Sequence, residues 1–137
     1  MSNAASNYLE NKILDHVLTA TAYTQPSTRY LALFYGSAGS VLTNLEAGTL
    51  TDEITLGSYA RVAITFGAAS SGTSSNSNTV TFATATANYD GTVTCIAVMD
   101  QSTGGNVLFY GQLSVSKTVT TGDTFQVAIS NLQITLS

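Results

Sequence analysis

The segment "IAVMDQSTGGNVLFYGQL", Ile96–Leu113, carries a single charged residue, Asp100, among eighteen. Apolar and β-branched residues flank "DQSTGGN", whose paired glycines permit the positive φ that a tight turn requires. The segment reads as a hairpin of two strands, Gly91–Met99 and Val107–Leu113. Such a hairpin commits the chain to an antiparallel sheet and offers almost no ionisable chemistry.

The same two-residue period continues on both sides of the hairpin. Thr28–Tyr35, "TRYLALFY", is apolar on both faces and reads as a central strand. Ser58–Phe66 alternates, with Val62, Ile64 and Phe66 inward and Arg61, Ala63 and Thr65 outward. Asn78–Ala83 places Val80 and Phe82 on one face, Leu113–Val119 reads as a short further strand, and Thr124–Ile129 and Leu132–Leu136 follow the turn at "TTGD". Seven or eight strands with these turn residues predict a mainly β fold, an antiparallel β-sandwich or jelly roll spanning residues 28–137.

One helix precedes the strands. Over Asn7–Leu18, Leu9, Ile13 and Val17 recur every fourth residue, joined by Leu14 and Leu18, with Glu10, Asn11, Lys12, Asp15 and His16 opposite. Asn7 and Glu10 have the spacing of a capping box, with Ser6 as the alternative cap. Pro26 ends any helical continuation. An isolated helix of this length is marginal in water, so its apolar stripe is expected to pack on the chain's own core, with a partner as the alternative. Gly36–Gly57 is long for a loop, although "TDEITL" offers a strand. Residues 67–77, "GAASSGTSSNS", have the composition of a flexible loop. The opening "MSNA" is given no structural weight.

At 137 residues the chain fits one domain, residues 1–137, large enough for a true core. Charged residues make up 9% against 44% hydrophobic, which excludes disorder. A net charge of −4, with Lys12, Arg29, Arg61 and Lys117 as the cations, argues against nucleic acid as a partner. No apolar run approaches the length of a membrane span and no signal peptide is evident, so no membrane partner and synthesis in a cytoplasm are expected.

Catalytic groups are scarce. His16 is the sole histidine and lies on the polar face of the helix, and Cys95 in "VTCIAV" reads as a buried core thiol. One His and one Cys cannot build a zinc site, so no metal and no cofactor are expected, and the chain is not expected to be an enzyme. Asp90, Asp100 and Asp123 adjoin glycines or turn residues, where aspartate bonds nearby backbone. The seven tyrosines suit either a sugar-stacking surface or half-buried strand positions. Arg29 and Arg61 stand in uncharged strands and must each reach water, an acid of the same chain or a neighbouring subunit.

The order of "SNYLENKILDHVL", "TAYTQPSTRYLALFY", "GSYARVAITFGAAS", "NTVTFATATA", "MDQSTGGNVLFYGQLSVSKTV" and "GDTFQVAISNLQITL" resembles a family of small bacteriophage virion proteins, labelled tail fibre proteins in genomes, with relatives that look like capsid decoration or cement proteins. The resemblance covers nearly the whole chain apart from Ser37–Asp52, which looks like a variable insertion. It implies a virion subunit on the outer capsid surface, assembled as a homotrimer, bridging capsomers of the major capsid protein and stabilising the shell. The alternative it leaves open is a tail-fibre or tail-tip module that binds host surface polysaccharide. The family pattern supplies no functional residue. Because aromatic residues and Arg are enriched at interface cores, Tyr8, His16, Tyr23, Arg29, Tyr59 and Arg61 are the candidate interface residues.

Overall fold

The computed structural model describes residues 2–136. Along them run β1 (Ser2–Ala5), α1 (Asn7–Leu18), β2 (Arg29–Tyr35), α2 (Ala38–Glu46), β3 (Val62–Ile64), β4 (Thr73–Ser75), β5 (Val80–Thr81), β6 (Val93–Met99), β7 (Val107–Lys117), β8 (Gln126–Val127) and β9 (Gln133–Thr135). The expected hairpin is β6 with β7, and it lies in the middle of a five-stranded antiparallel sheet ordered β1-β7-β6-β2-β3. Leu31 to Phe34 of β2 are all buried, as are Cys95 to Met99 of β6, so both strands are apolar on both faces.

The two faces have separate covers. On one, Leu31, Leu33, Ile96 and Val98 meet Val80, Phe82, Phe125, Leu132 and Ile134. These belong to a second layer made of two small antiparallel sheets, β4 with β9 and β5 with β8. Together the layers form a β-sandwich. Three aromatic contacts run through this core: Tyr59 stacks on Phe82 at 5.9 Å, and edge contacts join Tyr59 to Tyr89 at 6.1 Å and Phe82 to Phe125 at 5.7 Å.

On the other face, Ala32, Phe34, Cys95, Ala97, Met99 and Val107 meet Val41 and Leu45 of α2. This second helix corrects the expectation of one helix and a long loop over Gly36–Gly57. Val41 and Leu45 are four residues apart and fully buried, which is one apolar stripe in a segment too short to display a period. The "TDEITL" stretch does pair, through an isolated bridge between Glu53 and Phe34 and a hydrogen bond of 3.1 Å from Ile54 N to Leu33 O.

Two further expectations are revised. Residues 67–77 are not one flexible loop: they contain β4, which pairs with β9 through Thr73–Thr135, Ser74–Ile134 and Ser75–Gln133. Buried Asn76 anchors the segment, donating to Asn78 O at 2.7 Å and Ala128 O at 3.0 Å and accepting from Leu132 N at 2.9 Å. Small hydroxyl residues leave the order to backbone pairing, which composition does not reveal. Ser2–Ala5, which overlaps the opening "MSNA" given no weight, forms edge strand β1 against β7.

Helix α1 keeps its expected bounds, with Ser6 rather than Asn7 as the cap. Ser6 Oγ accepts from Leu9 N at 3.2 Å and donates to Val107 O, while Ser6 N donates to Leu108 O at 3.0 Å, so the cap also ties the helix to β7.

In the hairpin turn, Asp100 accepts from Asn106 N at 2.7 Å and from Asn106 Nδ2 at 2.9 Å. Gly105 adopts φ +72°, and a Cβ there would collide with the Asp100 carboxylate. Gly105→Ala is expected to cost about 1–3 kcal/mol in urea denaturation, from left-handed strain and the displaced aspartate. An unchanged midpoint would show that this turn does not constrain the sheet.

Asp90 bonds across to another loop, accepting from Thr55 N at 2.7 Å, Thr55 Oγ1 at 2.6 Å and Leu56 N at 2.9 Å. Burial opposes ionisation, but these hydrogen bonds outweigh it and hold the carboxyl below the ordinary aspartate value. The unfolded chain therefore takes up this proton at higher pH than the folded one. The stabilisation is complete above the ordinary aspartate value and is lost as pH falls through the lower folded one. Asp90→Asn is expected to flatten the acid limb of stability against pH, and identical limbs in variant and wild type would refute this assignment.

Candidate interaction surface

The six candidate residues fall into two places. Tyr59 and Arg61 belong to an internal network built around Glu53. Arg61 forks onto that carboxylate, Nε to Oε1 at 2.7 Å and Nη2 to Oε2 at 2.8 Å. Its Nη1 donates to Gln101 O at 2.8 Å and Gly104 O at 2.7 Å, both in the β6–β7 turn. The Tyr59 hydroxyl donates to Glu53 Oε1 at 2.9 Å and accepts from Leu33 N at 3.0 Å. Burial and the neighbouring Glu53 push the Tyr59 hydroxyl far above the ordinary tyrosine value, so it stays a donor. Burial disfavours the Arg61 charge, but the bonds to Glu53 outweigh it. Of the choices open to Arg61, an acid of its own chain is the one taken. Sequence reasoning missed Glu53; its only signal was a charge beside the apolar run "ITL".

Tyr8, His16, Tyr23 and Arg29 lie near the junction of α1 and β7. His16, Tyr23 and Arg29 line a cleft of about 450 Å³ with Leu9, Gln25, Pro26, Leu108 and Phe109. Tyr23 N donates to His16 Nδ1 at 3.0 Å, which requires that nitrogen to be unprotonated, and Arg29 Nη2 donates to Gln25 Oε1 at 2.9 Å. Burial, reinforced by the nearby Tyr8 and Asp100, raises the Tyr23 hydroxyl above its ordinary value, with Arg29 opposing. Tyr8 itself carries Lys12 Nζ 5.6 Å from its ring centroid. Beyond Leu108 and Phe109 a second groove, about 240 Å³ and mostly apolar, runs along Phe66, Ala69, Val98, Ile134 and Leu136, with Arg29 on its rim.

The helix beside these hollows departs from the expected packing. Only Leu9 of α1 is buried and Ile13 is partly so, while Leu14, Val17 and Leu18 are 54%, 70% and 74% exposed. The expectation that the stripe packs on the chain's own core holds for its first two residues and fails for the rest. The anchor at Ser6 fixes the helix at its start, and the side chains that pack on the core, Tyr8, Leu9 and Ile13, all lie in its first half. A wider apolar arc than one-sided packing requires was the available signal.

Elsewhere the chemistry stays thin. A hollow of about 710 Å³ opens between β7 and β8 and holds Lys117 and Asp123 as its charged groups. Cys95 is buried, and burial raises its thiol above the ordinary value. Among the described residues no three of His, Cys, Asp and Glu gather in a metal-binding group.

A family model described as Podophage GP4 fiber I protein gp80 matches residues 4–135. The chain belongs to that family. The search of curated proteins found no match. The family is one of phage structural fibre proteins, which makes the chain a bacteriophage virion protein.

The Glu53 network yields a test. Arg61→Ala strands a half-buried carboxylate and frees the turn; allowing for its partial exposure, a loss of about 2 kcal/mol is expected. In a double-mutant cycle with Glu53→Gln the two losses are expected not to add. Additivity within about 0.5 kcal/mol would mean that the pair acts separately.

Proposed function

We propose that this chain is a non-enzymatic assembly subunit of the virion that docks through the bare half of α1. The observation carrying this reading is the exposure of Leu14, Val17 and Leu18 on one helix, since an apolar patch of this kind fits protein better than water or solute. The lack of catalytic groups agrees with it: His16 accepts a backbone N–H at the surface and has no acid partner among its hydrogen bonds.

On this reading the chain decorates the outer capsid as a homotrimeric cement subunit, bridging copies of the major capsid protein and resisting internal pressure. Closed symmetry lets one patch serve repeatedly around an axis. A second reading has a specific observation behind it. The family is described by its fibre, and one cleft is lined by Tyr23 together with Gln25 and Arg29, an aromatic and polar combination that suits a host surface polysaccharide.

A cryo-electron microscopy map of intact virions tests both. Density for this chain on the outer shell at threefold positions, with α1 at a contact, is the expected result. Density along a fibre, with the Tyr23 cleft facing outward, would replace cement with the glycan-binding module.

A further inference from the structure

We infer that copies of this chain join head to tail, the exposed half of α1 on one copy entering the apolar groove between Phe109 and Leu136 on the next. The inference rests on the assembly reading and specifies its contact.

The helix supplies the inserting surface. A helix that packs on one side needs an apolar arc of about 100°. Leu9 and Ile13 already face the body of their own chain, and Val17, Leu14 and Leu18 continue the arc onto the free side. A 12-residue helix held by Tyr8, Leu9, Ile13 and the Ser6 cap, all in its first half, is marginal by itself, so covering those three residues stabilises α1 as well as the contact.

The groove supplies the receiving surface. Phe66, Phe109, Ile134 and Leu136 line it, and it lies open on the same molecule, separated from that molecule's own α1 by Leu108 and Phe109. A protruding apolar helix and an apolar groove on one chain, not in contact with each other, form the two halves of a heterologous contact. Helix-in-groove binding is a recurrent solution of this type, and a heterologous contact closes into a ring when its rotation allows.

Charge selects the same pairing. Asp15 stands on α1 three residues before Leu18, and Arg29 stands on the groove rim. The ion pair found among the described residues is Arg61 with Glu53, so among those residues neither Asp15 nor Arg29 has a charged partner. Arg29 Nη2 donates to the Gln25 carboxamide oxygen at 2.9 Å. Asp15 flanks the Leu14 and Leu18 face of α1 and Arg29 flanks the apolar lining of the groove, so the proposed contact pairs opposite charges. Pairing of α1 with another α1 would leave both Arg29 and the groove uncovered.

Multi-angle light scattering during gel filtration, with circular dichroism to confirm folding, tests the contact. The wild type is expected to form a closed oligomer. Leu14→Lys with Leu18→Lys disables the helix, and Ala69→Glu with Leu136→Asp disables the groove; all four positions are exposed, and each variant is expected to be a folded monomer. Mixed together they are expected to form a heterodimer, because one intact helix then meets one intact groove. Asp15→Arg and Arg29→Asp are each expected to weaken association about tenfold, and their combination to restore it. Oligomers of the groove variant equal to wild type, or no heterodimer from the mixture, would overturn the head-to-tail contact. A monomeric wild type would also overturn it, while α1 density against a different virion protein would leave the assembly reading standing.

Discussion

The strand β6 has no side to give to water, and the rest of the fold follows from that. Ile96 and Val98 point one way, Cys95, Ala97 and Met99 the other, and all five are buried. A sheet with such a strand at its centre needs a cover on each face. The two small sheets form one cover and α2 the other. The hydrogen-bonding edges of β6 are taken by β7 and β2, whose outer neighbours β1 and β3 are short, which keeps the exposed edges small.

The Glu53 network connects that sheet to the turn it generates. Leu33 N, the Tyr59 hydroxyl, Glu53, Arg61 and the carbonyls of Gln101 and Gly104 form one chain of hydrogen bonds from the middle of β2 to the tip of the hairpin. A charge within a half-buried strand is costly unless every donor has an acceptor. Arg61, one residue before β3, makes four such bonds inside its own chain, so its half-buried charge needs no neighbouring subunit to explain it. Arg29, at the start of β2, donates only to Gln25 among the described residues, and the contrast separates the two arginines.

The parts legible from the amino acids were those that a short period can carry. The strand at Thr28 is a continuous apolar run, and the hairpin, the strand at Asn78 and the bounds of α1 have apolar spacing long enough to read. What escaped depends on contacts distant in sequence. Val41 and Leu45 give α2 a single repeat, and only the bare face of Phe34 and Met99 explains why those nine residues are helical. Residues 73–75 are Thr-Ser-Ser, with no apolar face, and are ordered by β9 from the far end of the chain and by neighbouring Asn76, which accepts from Leu132 N. At the surface, residue type drew attention to Tyr8, His16, Tyr23 and Arg29, which do lie near one another, but could not separate them from Tyr59 and Arg61, whose donors turn inward.

A surface nearly free of charge cannot rely on long-range steering to find its partner, so selectivity has to come from shape and from the few charges left unpaired. In the proposed contact, Leu14, Val17 and Leu18 would provide adhesion without direction, since apolar contact is indifferent to orientation. Asp15 and Arg29 would provide direction without much adhesion, because exposed ion pairs contribute only about 0–1 kcal/mol. Placed on one short helix and beside one groove, the two kinds of group would compensate for each other's weakness, whereas Arg61 spends its charge inside the fold.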